Sequence, residues 1–175
     1  MNDIITRALA LASARHSGQM RPGNESQIEH VQRVALRATQ FVLDGEVTLA
    51  DAGDVIAAAL LHDVLEDTAT TDAELALHFG ERVARIVRAV SHEEEEEPDS
   101  VYLRRVAAGG PLAVVVKRSD RLDNLNTLRY APIGFRERKL AEVRAALPLW
   151  QEIDPAGAPM IEALLEEVEH ESATL

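Results

Sequence analysis

The chain has no cysteine, which rules out a disulfide framework, a thiolate metal site and a thiol nucleophile. A cytoplasmic location is the matching expectation. Aromatic residues are almost missing, at 3% against 46% hydrophobic residues overall. The core must therefore be built mainly from Ala, Leu and Val, which suits packed helices better than a β-sandwich. No apolar run is long enough to span a bilayer. The opening MNDIITRALALASARH contains the apolar, small-residue stretch ALALASA, but its leading residues are not net positive, and Arg15 and His16 follow at once. We read it as an amphipathic first helix rather than a secretion signal. Positive charge is scarce, with 18 Lys and Arg against 30 Asp and Glu, a net charge of −12. A field of that sign disfavours non-specific binding to nucleic acid and to anionic membranes. It also repels small anions at long range, so an anionic substrate needs local Arg and Lys plus a bound cation.

What remains reads as an all-α chain. Its 175 residues fit one domain with a sizeable core. A first helix is predicted over 3–15, followed by the polar loop SGQMRPGNES. A second covers 27–43, with Ile28, Val31, Val34, Ala35, Ala38 and Val42 at helical spacing. A third spans 49–65. Thr71 and Asp72 cap a short helix that Gly80 stops, and 81–90 follows with Val83, Ile86, Val87 and Val90 on one face. The run Glu93 to Glu97 reads as a solvated loop, or as a lid or helix start near an active site. Another helix covers 99–108. PLAVVVKRSDRL is ambiguous: its β-branched run has strand propensity, yet Val116, Asp120, Leu122, Asn124 and Leu125 extend it in a helical pattern with no second strand to pair with. Helices over 135–147 and 159–169 close the chain, with Pro148, Pro155 and Pro159 punctuating the link between them.

The chemistry concentrates in LLHDVLEDT, residues 60–68. The apolar run from Val55 to Leu61 leads directly into His62 and Asp63, with Glu66 and Asp67 one turn later. Residues three and four apart share a helix face, so His62 lines up with Glu66, and Asp63 with Glu66 and Asp67. A helix C-terminus carries about −0.5 elementary charge and disfavours each nearby carboxylate by roughly 0.3–1 kcal/mol; burial adds a desolvation penalty for any unpaired charge. A divalent metal on His62 and Asp63 would offset that cost, leaving Glu66 and Asp67 to handle a water. Spacing alone allows an acidic, solvated helix end equally well. Further ligand candidates are His30, on the side of Val34, and Asp120, with Asp123 as a rival. Two His and two Asp would form an N/O site suited to Mn, Fe, Co or Zn. Arg21, Lys117 and Arg121 are candidates for neutralising phosphate, and Lys117 and Arg121 share a face.

Three blocks carry a family resemblance. ARHSGQMRPGNESQIEH is similar to A-x-x-H-x-G-Q-x-R-K-x-G-x-P-Y-x-x-H. AALLHDVLEDTATTDAELALHFGERVARIVRAVS follows A-L-L-H-D-x-x-E-D-T through F-G. VKRSDRLDNLNTLR is similar to V-K-L-A-D-R-L-H-N-L-R-T-L. Together they resemble the HD-domain metal-dependent phosphohydrolases, in particular the RelA/SpoT-type hydrolase domain and its small stand-alone relatives, which remove pyrophosphate from ppGpp and pppGpp. The resemblance implies a single HD-domain helical bundle with a family-like core over about 8–129 and C-terminal helices over 133–171. It also makes the VVVK segment helical. By position it places metal ligands on His30, His62, Asp63 and Asp120, with a divalent ion, Mn foremost. It places the water-handling pair on Glu66 and Asp67, and nucleotide contacts on Arg21, Asn124 and Thr127, to which Lys117 is added as a phosphate contact.

The implied activity is guanosine 3′,5′-bis(diphosphate) 3′-pyrophosphohydrolase-like, on a small phosphorylated nucleotide, with neither nucleic acid nor membrane as partner. The loop that grips the base departs from the pattern: Pro22 stands for Lys, Asn24 for Gly and Gln27 for Tyr, and Asp123 stands for a frequent His further on. Another nucleotide or phosphate ester, of nucleotidase or NADPH phosphatase type, is therefore an alternative, and a catalytically silent binding or sensing module is another. Of the remaining histidines, His16 is expected to hydrogen-bond structurally and His78 to pack at a helix end. His92 and His170 are expected in exposed, acidic surroundings, and Trp150 is expected to anchor the C-terminal helices.

Overall fold

The computed structural model describes residues 2–92 and 98–173; the acidic run Glu93 to Glu97, read above as a loop or lid, lies outside them. The architecture is all-α. Helix α1 (Asn2–Arg15) leads into a hairpin of two short strands, β1 (Met20–Arg21) and β2 (Glu25–Ser26). Then come α2 (Gln27–Leu43), α3 (Ala52–Leu61), the single turn α4 (Val64–Asp67), α5 (Asp72–Phe79) and α6 (Glu81–Val90). After residue 98 follow α7 (Asp99–Ala108), α8 (Pro111–Thr127), a 3₁₀ turn (Leu128–Tyr130), α9 (Ile133–Ile153) and α10 (Ala158–Ala173). Among the described residues, no helix is long and apolar enough to cross a membrane.

Local chemistry accounts for the boundaries. Ser26 and Glu29 form a capping box at the start of α2: the Ser26 hydroxyl accepts from the Glu29 N–H, and the Glu29 carboxylate accepts from the Ser26 N–H at 3.1 Å. Thr71 caps α5 through the Glu74 N–H. Gly110, at φ 92°, turns the chain into α8, where Pro111 takes the first helical position. The β-branched run of that segment is helical, with Val115 and Val116 buried. The hairpin was not foreseen from sequence. It forms because Gly23 (φ 91°) and Asn24 (φ 63°) both take left-handed conformations, which an Asn tolerates better than most residues. That explains how Asn24 can stand where Gly is usual.

Two helix boundaries differ from expectation. The segment read as one helix over 49–65 is split: α3 ends at Leu61, His62 and Asp63 form a turn, and α4 restarts at Val64. The Ala59 carbonyl there accepts from the His62 ring at 2.8 Å, so a side chain enters the end of the backbone ladder. In contrast, α9 does not stop before Pro148 but runs through it to Ile153. The carbonyl that Pro148 leaves without its usual N–H belongs to Arg144, and both residues are exposed, so water can serve it.

The centre of the fold is α3, whose Ala57, Ala58 and Ala59 are fully buried. Small side chains let α1, α2, α6 and α8 approach it closely. The C-terminal helices pack as a pair, with Trp150 fully buried as their anchor. This stacking brings α2, the α3–α4 turn and α8 together, and the polar residues of those three elements meet inside the apolar core.

Candidate active site

Helix α2 delivers His30, the α3–α4 turn delivers His62 and Asp63, and α8 delivers Asp120. His30, His62 and Asp120 are buried and Asp63 is half-buried. One donor atom from each of His30, His62 and Asp63 lies within 4.8 Å of the others. Asp120 Oδ1 closes the group, at 3.2 Å from His30 Nε2 and 3.6 Å from His62 Nε2. Asp63 stands 3.1 Å from His62 Nε2 and 3.6 Å from His30 Nε2.

The outer side of each imidazole is already engaged. His62 Nδ1 lies 2.8 Å from the Ala59 carbonyl, which can only accept, so that nitrogen carries a proton. His30 Nδ1 lies 2.8 Å from Asp123 Oδ2. Both Nε2 atoms are buried and make no hydrogen bond, although carboxylate oxygens stand nearby. The four groups thus crowd one spot, with neither Nε2 atom committed to a hydrogen bond there. Orphaned imidazole nitrogens facing two carboxylates fit a divalent cation with mixed N and O preference.

The electrostatics agree. Burial disfavours a charged His62, yet Asp63 and Asp120 outweigh it and raise its pKa to about 10. Burial likewise works against the charge on Asp63 and Asp120, but His62 holds Asp63 well below the usual carboxylate range, and Lys117 does the same for Asp120. The carboxylates demand positive charge, and a divalent cation supplies it while releasing the imidazole proton.

Asp123, read from sequence as a rival ligand, faces the other way. It is fully buried, and besides His30 it accepts from Arg33 Nε at 2.9 Å and Nη2 at 2.8 Å. Its lone pairs are committed behind the cluster, in the arrangement that fixes the tautomer of a metal-ligating histidine. Arg33, 90 residues away in sequence, is a part of the site that sequence reasoning missed.

Glu66 and Asp67 lie together on α4. Burial, and then the charge of Asp63, push both carboxyls up, Glu66 to about 7. Glu66 lines a pocket of about 630 Å³, together with Arg21, Lys117, Arg121, Asn124 and Thr127; Asp67 is not among its lining residues. The Lys117 ammonium is buried against Asp120 Oδ2 at 2.7 Å and lies 4.9 Å from the Tyr102 ring centroid. The Thr127 hydroxyl donates to its own helix, at Asp123 and Asn124 carbonyls.

The other histidines divide. His16 is buried, with Nδ1 against Gln19 Oε1 at 2.7 Å. His78 is exposed at the end of α5, its ring tilted 60° to that of Phe79 with centroids 6.2 Å apart, and His170 is exposed on α10. His92, expected on an exposed acidic surface, is instead half-buried: it lines the pocket and stacks on Tyr102 with centroids 3.8 Å apart. Only a contact between the ends of α6 and α7 reveals it, which no local pattern encodes.

Comparison with known proteins gives a consistent picture. A family model described as HD domain matches residues 8–150. A protein of Aquifex aeolicus named guanosine-3′,5′-bis(diphosphate) 3′-pyrophosphohydrolase is 37% identical over 79% of this chain and 19% of its own length. The human protein of that name, MESH1, is 34% identical over 79% of this chain and 77% of its own. The chain therefore spans about a fifth of the Aquifex relative, but more than three quarters of the human one. A solved structure described as a metazoan ortholog of SpoT that hydrolyzes ppGpp superposes with a TM-score of 0.75 at 25% identity, covering 98% of this chain and 97% of the other.

Proposed function

The chain belongs to the HD domain family, and on that footing we propose that it is a metal-dependent phosphohydrolase removing pyrophosphate from the 3′ position of guanosine 3′,5′-bis(diphosphate). One observation carries the reading: the unpartnered Nε2 atoms of His30 and His62 converge with Asp63 and Asp120 beside a nucleotide-sized pocket lined by Arg21, Lys117 and Arg121. The names borne by the relatives support the substrate. The whole chain is read as one catalytic domain in a cytoplasmic setting, with Mn as the leading metal and Fe, Co or Zn as substitutes.

In this mechanism His30, His62, Asp63 and Asp120 hold the metal. When bound, the metal lowers the pKa of an attacking water and polarises a phosphoryl oxygen. Glu66, whose carboxyl burial pushes up to about 7 in the metal-free protein, takes the proton from that water, and Asp67 helps orient it. Arg21 and Arg121 reach the phosphates as forked donors, while Lys117 adds positive charge from the pocket wall. Asn124 and Thr127 contact the nucleoside. The test is pyrophosphate release from ppGpp with and without Mn²⁺; a Mn-loaded protein that leaves ppGpp intact would refute the substrate assignment.

A second substrate class has its own support. Pro22 lines the pocket where the family pattern has a Lys, so this chain offers no side-chain charge there. Turnover of another phosphorylated nucleotide, with indifference to ppGpp, in a Mn-supplemented substrate panel would favour that reading while retaining the same metal chemistry.

A further inference from the structure

Arg21 faces the pocket, but its guanidinium also reaches inward. Nη1 donates to Gln27 Oε1 at 3.2 Å, and Nη2 donates to Asn124 Oδ1. A guanidinium can only donate, so both amides turn their oxygens toward Arg21 and their NH₂ groups away. On that far side each amide meets a carboxylate of the cluster. Gln27 Nε2 donates to Asp63 Oδ2, and Asn124 Nδ2 donates to Asp120 Oδ1 at 2.7 Å. One guanidinium therefore sets the orientation of two amides, and through them of two carboxylates that come from different elements, the α3–α4 turn and α8. Gln27 is buried with both ends of its amide used. In sequence it stood out only as a departure in the base-gripping loop; its side chain in fact turns toward Asp63.

We infer that Arg21 is a positioning residue for the metal centre in addition to its place in the substrate pocket, so that metal and nucleotide binding reinforce each other through the Gln27 and Asn124 amides. This rests on the reading of His30, His62, Asp63 and Asp120 as metal ligands. Of its five N–H donors, two serve the amides and Nε lies 3.7 Å from Glu25, which leaves donors for a phosphate in the pocket. A ligand that immobilises Arg21 thereby immobilises both carboxylates, and by linkage the metal tightens that ligand by the same factor.

The sign of one measurement separates this from plain electrostatics. Arg21 is a cation near a site for a cation, so if it acted by charge alone, removing it would tighten metal binding. Mn²⁺ is titrated calorimetrically into nucleotide-free wild type, Arg21→Ala, Arg21→Lys and Gln27→Met. Arg21→Ala is expected to bind Mn²⁺ about tenfold more weakly, the low end for loss of a group that orients a ligand. Arg21→Lys shows a similar loss despite keeping the charge, because one ammonium cannot span both amides. Gln27→Met cuts only the Asp63 arm and shows part of the loss, and its effect shrinks when Arg21 is already Ala. Circular dichroism checks each fold; if Arg21→Ala unfolds, the other two variants carry the test. Mn²⁺ affinity that is unchanged or tighter in folded Arg21 variants overturns the inference. A wild type that binds no Mn²⁺ overturns the metal reading itself, and neither outcome depends on which nucleotide is the substrate.

Discussion

The backbone N–H of His92 donates to Glu66 Oε1 across 2.9 Å, which ties the end of α6 to the one-turn helix beside the cluster. That bond and Lys117 favour a charged Glu66, but burial outweighs them and lifts the carboxyl from 4.5 to about 7. A carboxyl whose folded pKa is raised favours the folded state fully below pH 4.5, and that contribution is lost as pH rises through 7. Glu66→Gln removes the titration. In metal-free protein it should be more stable than wild type at pH 8, with the gap closing toward pH 4.5. Glu66 keeps an exposed edge at the pocket mouth, and solvent screening there limits the gap to about 1 kcal/mol. Urea denaturation at three pH values reads it, and a gap independent of pH would show that Glu66 does not titrate in this range.

Binding and turnover should separate between Asp63 and Glu66. Asp63 stands 3.1 Å from His62 Nε2, so Asp63→Ala is expected to abolish metal content and activity together. Glu66 lines the pocket without belonging to the three-residue cluster. Glu66→Ala should therefore keep its metal and lose turnover by about 10²–10⁴-fold, the usual contribution of a positioned acid–base group. Metal analysis alongside a single-turnover assay distinguishes the two, and normal turnover by Glu66→Ala would rule out its acid–base role.

Asp123 offers a third test, because it touches His30 from behind at 2.8 Å. Asp123→Asn keeps the shape and an acceptor oxygen but removes the negative charge behind the His30 ring. Metal affinity should fall about 10- to 100-fold. If Asp123 were itself a ligand, the coordination sphere would change as well. The electron paramagnetic resonance spectrum of bound Mn²⁺ would report that; the expected spectrum is that of wild type.

These residues also show what a sequence can disclose. The helices were legible because apolar spacing repeats along them, as in α2 and α6. His62 and Asp63 were legible as a pair, but not as a break, because the break depends on a side chain competing for the Ala59 carbonyl. Pro148 misled because its lost hydrogen bond falls on a solvent-facing carbonyl, where it costs little. The fold brings His30, His62, Asp63 and Asp120 within a few ångströms of one another. The supporting shell did not show in advance: Arg33 reaches Asp123 across 90 residues and Arg21 reaches Asn124 across 103, and such contacts exist only once α2 and the hairpin before it have packed on α8. Gln27 was visible as a departure, while its bond to Asp63 was not.

Arg118 is almost fully buried, stacks 4.0 Å from the Phe41 ring centroid and pairs with Glu46 and with Asp154 Oδ2 at 3.3 Å. It joins α2, the loop after it and the α9–α10 junction to the helix that carries Asp120. Arg118→Met preserves much of the apolar stem but leaves Asp154 buried without its cation. Breaking a buried pair from one side costs about 3–5 kcal/mol, and the half-exposed Glu46 end puts the expected loss near the lower figure. Residues two apart on a helix point to opposite faces, so Arg118 and Asp120 should act independently. The variant is expected to unfold at lower urea while still binding one equivalent of Mn²⁺ below its transition. Loss of Mn²⁺ uptake by the folded variant would mean that Arg118 sets the position of α8, and that the metal centre depends on this buried pair.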